Sequence, residues 1–286
     1  MELLSSPSLY AYTGGRAFDA ARPTIVFLHG AQHDHSVWAL QSRYLAHHGY
    51  SVLALDLPGH SRSAGPALAS VEAIAERVAE GVTASGAQRV LLTGHSMGSL
   101  IALEAAQRLS DRVAGVALIA AAFPMRVSDA LLAATRADAA TAMDMINVWS
   151  HSAALTAFTR KPASPGPGFS NVWHNLRLMQ RIASAQGPDV LVTDFAACNT
   201  YAGGIEAARA LCCPALFVLG AQDQMTPPKA AQALIAACGD ARVVTLEGCG
   251  HAAMPERPDA VLAALRDFAA HVFARAPASV SARNPA

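Results

Sequence analysis

Short apolar runs alternate with longer alanine-rich stretches of helical period along most of this chain. Thr24–Leu28, Ser51–Leu55, Arg89–Thr93, Val113–Ala120, Ala215–Leu219 and Arg242–Leu246 predict strands. Each is nearly continuous in apolar residues, the pattern of strands buried on both faces of a parallel sheet. Between them Ser36–His47, Ser70–Ser85, Ser99–Leu109, Pro228–Cys238 and Pro255–Phe273 predict helices. Ser8–Thr13, with a turn at Gly14-Gly15, predicts an antiparallel edge hairpin. Strand and helix repeated in this order predict a doubly wound, mostly parallel α/β sheet.

One stretch breaks the alternation. From Phe123 to Arg209 no strand is evident, and helical periodicity runs through Ser128–Ala142, Ala142–Phe158 and Asn171–Ala185, divided by the Pro/Gly-rich segment Pro162–Gly168. The expected organisation is a core of residues 1–122 and 210–275, with residues 123–209 inserted as a helical cap over one end of the sheet. Residues 276–286 lose apolar periodicity and predict a disordered tail.

Composition narrows the class. The 286 residues are 52% hydrophobic and carry 21 basic and 21 acidic side chains, enough for one large core and too balanced for a nucleic-acid or anionic-membrane surface. Met1–Tyr10 lacks a signal peptide's basic and apolar regions, and the longest apolar run, Val113–Phe123, is too short to cross a bilayer. The expectation is a soluble, cytoplasmic monomer or homodimer acting on a small molecule. The five cysteines lack C-x-x-C spacing, and His33-Asp34-His35 lacks further ligands at recognisable spacing, so neither a disulfide framework nor a metal is expected.

The chemistry is signalled by Gly94-His95-Ser96-Met97-Gly98, set between a predicted strand and a predicted helix. G-x-S-x-G at such a junction places a serine on a sharp turn with its hydroxyl exposed, crowding the backbone where only glycine fits. A serine hydroxyl needs a base to take its proton and a third group to orient that base. Among eleven histidines, His251 has the best position, in the loop Glu247-Gly248-Cys249-Gly250-His251 after a predicted strand; its bland reading is a residue capping the next helix. Asp223 follows another strand in Gly220-Ala221-Gln222-Asp223, where an Asx-turn residue is the competing reading. The preceding strand ends Ala120-Ala121-Ala122, with no carboxylate to rival it. All three candidates fall at strand carboxyl ends, where open α/β sheets carry their sites.

The order Ser96, Asp223, His251 resembles that of the α/β-hydrolase superfamily, and the resemblance runs from about Pro23 to Phe273. Phe27-Leu28-His29-Gly30 resembles its strand-end His-Gly, and Asp56–Ser63 resembles its D-x-x-G-x-G-x-S loop, with Ser61 in place of a glycine. The resemblance implies an α/β-hydrolase fold and an oxyanion hole formed by the backbone N–H groups of Ala31 and Met97. It also implies structural roles for His29 and Asp56. It implies no cofactor.

Gly248-Cys249-Gly250-His251-Ala252-Ala253 superficially matches a dinucleotide fingerprint, but only one helix and a polar tail follow it. In the inserted segment Phe123, Trp149 and Trp173 are candidate substrate contacts, although aromatic residues at helical spacing are ordinarily packing. Arg126, Arg136, Arg160, Lys161, Arg177 and Arg181 read as a solvated face. The expected activity is hydrolysis of an ester, or a related acyl bond, of a small to medium, largely apolar substrate through an acyl-enzyme. A cofactor-free haloperoxidase or perhydrolase, a carbon–carbon bond hydrolase, and a hydroxynitrile lyase would use the same three residues. A ligand receptor on the same scaffold is the non-enzymatic alternative.

Overall fold

Eight strands join edge to edge in one sheet: β1 (Glu2–Ser5), β2 (Ser8–Tyr12), β3 (Thr24–Leu28), β4 (Ser51–Leu55), β5 (Val90–His95), β6 (Val113–Ile119), β7 (Ala215–Gly220) and β8 (Ala241–Leu246). Their order is β1-β2-β4-β3-β5-β6-β7-β8. The first two pairings are antiparallel and the remaining five parallel. The computed structural model describes residues 1–152, 169–187 and 189–275. Phe158, Arg160, Lys161, the segment Pro162–Gly168 and the tail 276–286 lie outside them.

Continuous apolar strands are explained by what covers the two faces. On one face Ile25, Phe27, Leu91, Ile119 and Val218 pack against α1 (Ala39–His47) and the long C-terminal helix Pro258–Ala274, through Leu45, Val261, Leu265 and Phe268. On the other, Val26, Leu28, Leu92, Leu118 and Phe217 pack against α2 (Val71–Ala84) and α3 (Met97–Leu109). Alternate residues of one strand therefore serve different cores, and both faces of the strand are buried. The exception is β8, where Val243 is 47% exposed. The expectation of a strand buried on both faces fails there because β8 is the sheet's edge.

The N-terminal hairpin also differs from expectation. β2 pairs with the earlier β1 across Ser6-Pro7, and Gly14-Gly15 lies beyond it, with both glycines at positive φ, where the chain leaves the sheet edge toward β3. The closing helix starts at Pro258, after a single turn, Ala253–Glu256, that contains Pro255.

Between β6 and β7 the described residues form helices only: α4 (Asp129–Ala137), α5 (Ala139–Trp149), α6 (Phe169–Gln186), α7 (Asp189–Thr200) and α8 (Gly204–Arg209). Asp138 divides the expected helix Ser128–Ala142, because its carboxylate accepts the Ala140 N–H at 3.0 Å and caps α5. Helices α7 and α8 are not predicted. In α7 a carboxylate, Asp194, sits within the buried face beside Leu191, Phe195 and Cys198, which breaks the apolar period. Helices α4 to α7 share a core of Leu131, Met143, Ile146, Met179, Leu191 and Phe195, against which Ala31 and Met225 pack from the loops after β3 and β7, while Ala207 and Ala208 of α8 join the core of the sheet. Among the described residues no helix is long and apolar enough to cross a membrane.

Phe217→Ala, in the fully buried β7, is expected to lower the unfolding free energy by about 3–5 kcal/mol. Val243→Thr, on the exposed edge, should change it by less than about 0.5 kcal/mol. Urea unfolding of the two variants checks the contrast, and equal losses would contradict the burial described.

Candidate active site

Strand β5 ends at His95 and helix α3 begins at Met97, leaving Ser96 as a one-residue turn at φ 53° and ψ −119°. A residue with a Cβ pays about 1–3 kcal/mol for such a conformation, so surrounding contacts must enforce it. The Ser96 N–H donates to the Ile119 carbonyl at 2.9 Å, and the Ser96 carbonyl accepts from the Ser99 N–H at 2.8 Å and hydroxyl at 2.6 Å. Crowding closes the turn from both sides. A Cβ on Gly94 would lie 2.0 Å from the Gly98 oxygen, and one on Gly98 would lie 2.3 Å from the Leu28 oxygen.

Asp223 and His251, from the loops after β7 and β8, meet in a buried hydrogen bond of 2.9 Å between Oδ2 and Nδ1. The Asx-turn reading of Asp223 holds as well, on the other oxygen: Oδ1 accepts the N–H groups of Met225 and Thr226, each at 2.8 Å. One carboxylate therefore orders its own loop and orients the imidazole. Burial by itself would raise the Asp223 pKa. The nearby His251, its hydrogen bond and those from Thr226 outweigh burial and hold the carboxyl below its ordinary value.

Thr226 is a residue that sequence reasoning missed. Its hydroxyl lies 2.7 Å from Asp223 Oδ2, 3.0 Å from His251 Nδ1 and 3.0 Å from the Ala120 carbonyl. The available signal was its place three residues after Asp223, on the Asx turn.

Two further groups fix the His251 loop. His95 lies 2.9 Å through Nε2 from the His251 carbonyl, which can only accept, so that nitrogen carries the proton. Glu256 accepts the Gly250 N–H at 3.1 Å and the Ser152 N–H at 3.2 Å, tying the loop to the end of the α5 segment. Burial, followed by the proximity of His251, pushes the His95 ring down from 6.5 to about 3.

His29 and Asp56 are both fully buried. The His29 Nε2 accepts the Leu57 N–H at 3.0 Å, and Asp56 accepts the His35 N–H at 2.9 Å, its Nδ1–H at 2.7 Å, and the Arg62 N–H at 3.1 Å. Asp34, His35 and Asp56 bring three possible ligand atoms within 4.8 Å of one another. Those atoms are already engaged with one another, Ser36 and Arg181, as a hydrogen-bonded loop.

Ser96, His251 and Ala31 border one cavity of about 310 Å³, walled by Val127, Leu131, Trp149, Phe195 and Met225. Met97 is the first residue of α3, so its N–H points out of the helix end without an intrahelical partner. A second cavity of about 1080 Å³ also borders His251, beside His33, His174 and Arg181. Of the aromatic candidates, Trp149 reaches the Ser96 cavity and the other two do not. Trp173 is 48% exposed beside Arg177, and Phe123 packs on Gly204 and Tyr201. Arg126 borders the Ser96 cavity, while Arg181 reaches back to Asp34 at 2.6 Å.

The depressed His95 has a consequence for stability. The folded protein takes its proton only near pH 3, and the unfolded chain takes it near 6.5. Between these values the unfolded state binds more protons, so stability falls as pH falls, by up to about 5 kcal/mol from this residue. His95→Gln is expected to reduce that slope in urea titrations between about pH 6 and 4; an unchanged slope would contradict the assignment.

Known proteins bear on this site. The model of the alpha/beta hydrolase family matches residues 25–264. The chain is 36% identical over 124 residues to the dihydrolipoyllysine-residue acetyltransferase component of an acetoin cleaving system from Cupriavidus necator, covering 43% of this chain and 30% of that protein. It is 33% identical over 96 residues to a pimeloyl-acyl-carrier-protein methyl ester esterase of Klebsiella pneumoniae, covering 34% of this chain and 35% of that protein. The matches thus span about a third of the length of these curated relatives. Among solved structures, an enol-lactonase from Burkholderia xenovorans LB400 superposes with a TM-score of 0.76 at 24% identity, covering 93% of this chain and 97% of that one. With the family model spanning most of its length, the chain belongs to the alpha/beta hydrolase family.

Proposed function

We propose that the protein is a cofactor-independent serine hydrolase that cleaves esters of small to medium, largely apolar acyl groups, its inserted helices acting as a cap. The observation that carries this reading is a hydrogen-bonded Asp223–His251 pair that shares one cavity with Ser96. Ser96 sits on an enforced turn at a cavity that His251 also borders, and His251 Nδ1 is bonded to a buried carboxylate. With Nδ1–H directed at Asp223, Nε2 is the nitrogen left to take the Ser96 proton as Oγ attacks the acyl carbon. Asp223 keeps the tautomer and stabilises the imidazolium.

The Ala31 and Met97 N–H groups hold the oxyanion, a contribution of about 3 kcal/mol for each such donor. His251 then protonates the leaving alcohol, and water, activated by the same nitrogen, releases the acid. The cavity, at about 310 Å³ with Leu131, Trp149 and Phe195 in its wall, suits a short apolar acyl group. The Klebsiella relative, an esterase by name, is in keeping with ester chemistry, and a putative non-heme haloperoxidase of Mycobacterium phage D29, 34% identical over 99 residues, keeps the peroxide-dependent alternative in play.

An organophosphonate is expected to label Ser96 in the wild type and leave Ser96→Ala unmodified and inactive; labelling of any other residue would refute the assignment. Asp223→Asn should lower kcat by about 10⁴ through the wrong tautomer. A loss below tenfold would mean that another acid serves.

A further inference from the structure

We propose that Asp194, on α7 of the inserted segment, is a positioning residue that fixes the oxyanion amide of Ala31 through the Gln32 backbone. The inference rests on the serine-hydrolase reading and extends it from the triad to the cap.

Gln32 has φ 55°, a left-handed conformation that a residue with a Cβ holds only where its surroundings impose it. The surroundings are polar and buried. The Gln32 N–H donates to Asp194 Oδ2 at 2.8 Å, and its side-chain amide donates to the Met179 carbonyl at 3.1 Å. The other end of the same peptide unit, the Ala31 carbonyl, accepts from His33 Nδ1 at 2.7 Å, and the His33 ring meets the Asn175 amide at 2.8 Å. On the preceding peptide, the Gly30 carbonyl accepts from His29 Nδ1 at 2.8 Å. The peptide unit that carries the Ala31 N–H and the one that follows it thus both have their carbonyls engaged. Asp194, Met179 and Asn175 all belong to inserted helices, α7 or α6.

Asp194 is no ordinary surface acceptor. Its side chain is 1% exposed, and Oδ2 also lies 3.0 Å from His60 Nε2. The second nitrogen of His60 lies 3.1 Å from the Pro58 carbonyl. A carbonyl and a carboxylate offer only acceptors, so both ring nitrogens carry protons and the pair is ionic. Burial alone lowers the His60 pKa, but the charge and hydrogen bond of Asp194 outweigh it and leave it raised. A buried ion pair is a poor source of stability compared with apolar packing. What this one supplies is a fixed, charged acceptor, and a charge-assisted hydrogen bond is about twice as strong as a neutral one. Its partner is the amide next to the proposed oxyanion donor.

The test compares turnover of a short-chain ester with binding of a matching trifluoromethyl ketone, which Ser96 converts to an oxyanion-bearing adduct. Asp194→Ala is expected to lower kcat by about 10–100-fold with KM within about twofold, and to weaken ketone binding in parallel with kcat. Asp194→Asn keeps a neutral acceptor for the Gln32 N–H and should recover most of that loss, to within about 3–10-fold of wild type. Should Asp194→Ala fail to fold, the asparagine variant decides: a parallel 3–10-fold change in kcat and ketone affinity supports the role, on the order expected for a lost charge. Unchanged ketone affinity and kcat in folded variants, with only a lower melting temperature, overturns it. A wild type that turns over no ester and forms no Ser96 adduct overturns the serine-hydrolase reading along with it.

Discussion

Backbone crowding where β5 turns into α3 is the constraint on which the rest of the site depends. Gly98 lies so close to the Leu28 and His29 carbonyls at the end of β3 that no side chain fits between them, and Gly94 is pressed equally hard against Gly98. With both neighbours fixed, Ser96 has no relaxed conformation available and stands at positive φ at the head of a helix. The contact that strains the serine also brings the β3 loop, with Ala31, to the same cavity. The proposed nucleophile and oxyanion donor are therefore set by one packing event in the sheet centre rather than by two independent loops.

Around that centre the structure spends buried polar groups freely, and their arrangement has a common logic. Asp223 divides its two oxygens between its own turn and His251. His95, kept neutral by burial, holds the His251 carbonyl, while Glu256 holds the amide one residue earlier. Each group fixes backbone or ring orientation beside a proposed reacting atom, which is where small displacements are most costly to rate. Asp194 and His60 extend the same logic into the inserted helices, so that the segment that walls the cavity also bears on the oxyanion loop.

Much of this was legible in the sequence, and the illegible parts share a cause. Strands such as Thr24–Leu28 were readable because both faces are covered, which makes nearly every position apolar. Ser96, Asp223 and His251 stood out because each follows a strand in a glycine-marked loop. β8 was misread on one point, since an edge strand can keep an apolar sequence while Val243 faces solvent. Helix α7 escaped notice because Asp194 interrupts its buried face, and that carboxylate makes sense only with His60 and Gln32, more than 130 residues away in sequence. Thr226, Glu256 and the loss of Phe123 and Trp173 from the cavity wall likewise depend on tertiary contacts that no local pattern encodes.

The central claim is that Ser96 forms a covalent acyl intermediate, and rapid-quench mass spectrometry during turnover of an activated short-chain ester tests it most directly. The account predicts an acyl mass on the peptide containing Ser96, rising to about one per chain before steady state. Turnover with no acylated peptide, or with the acyl group on another residue, would contradict it.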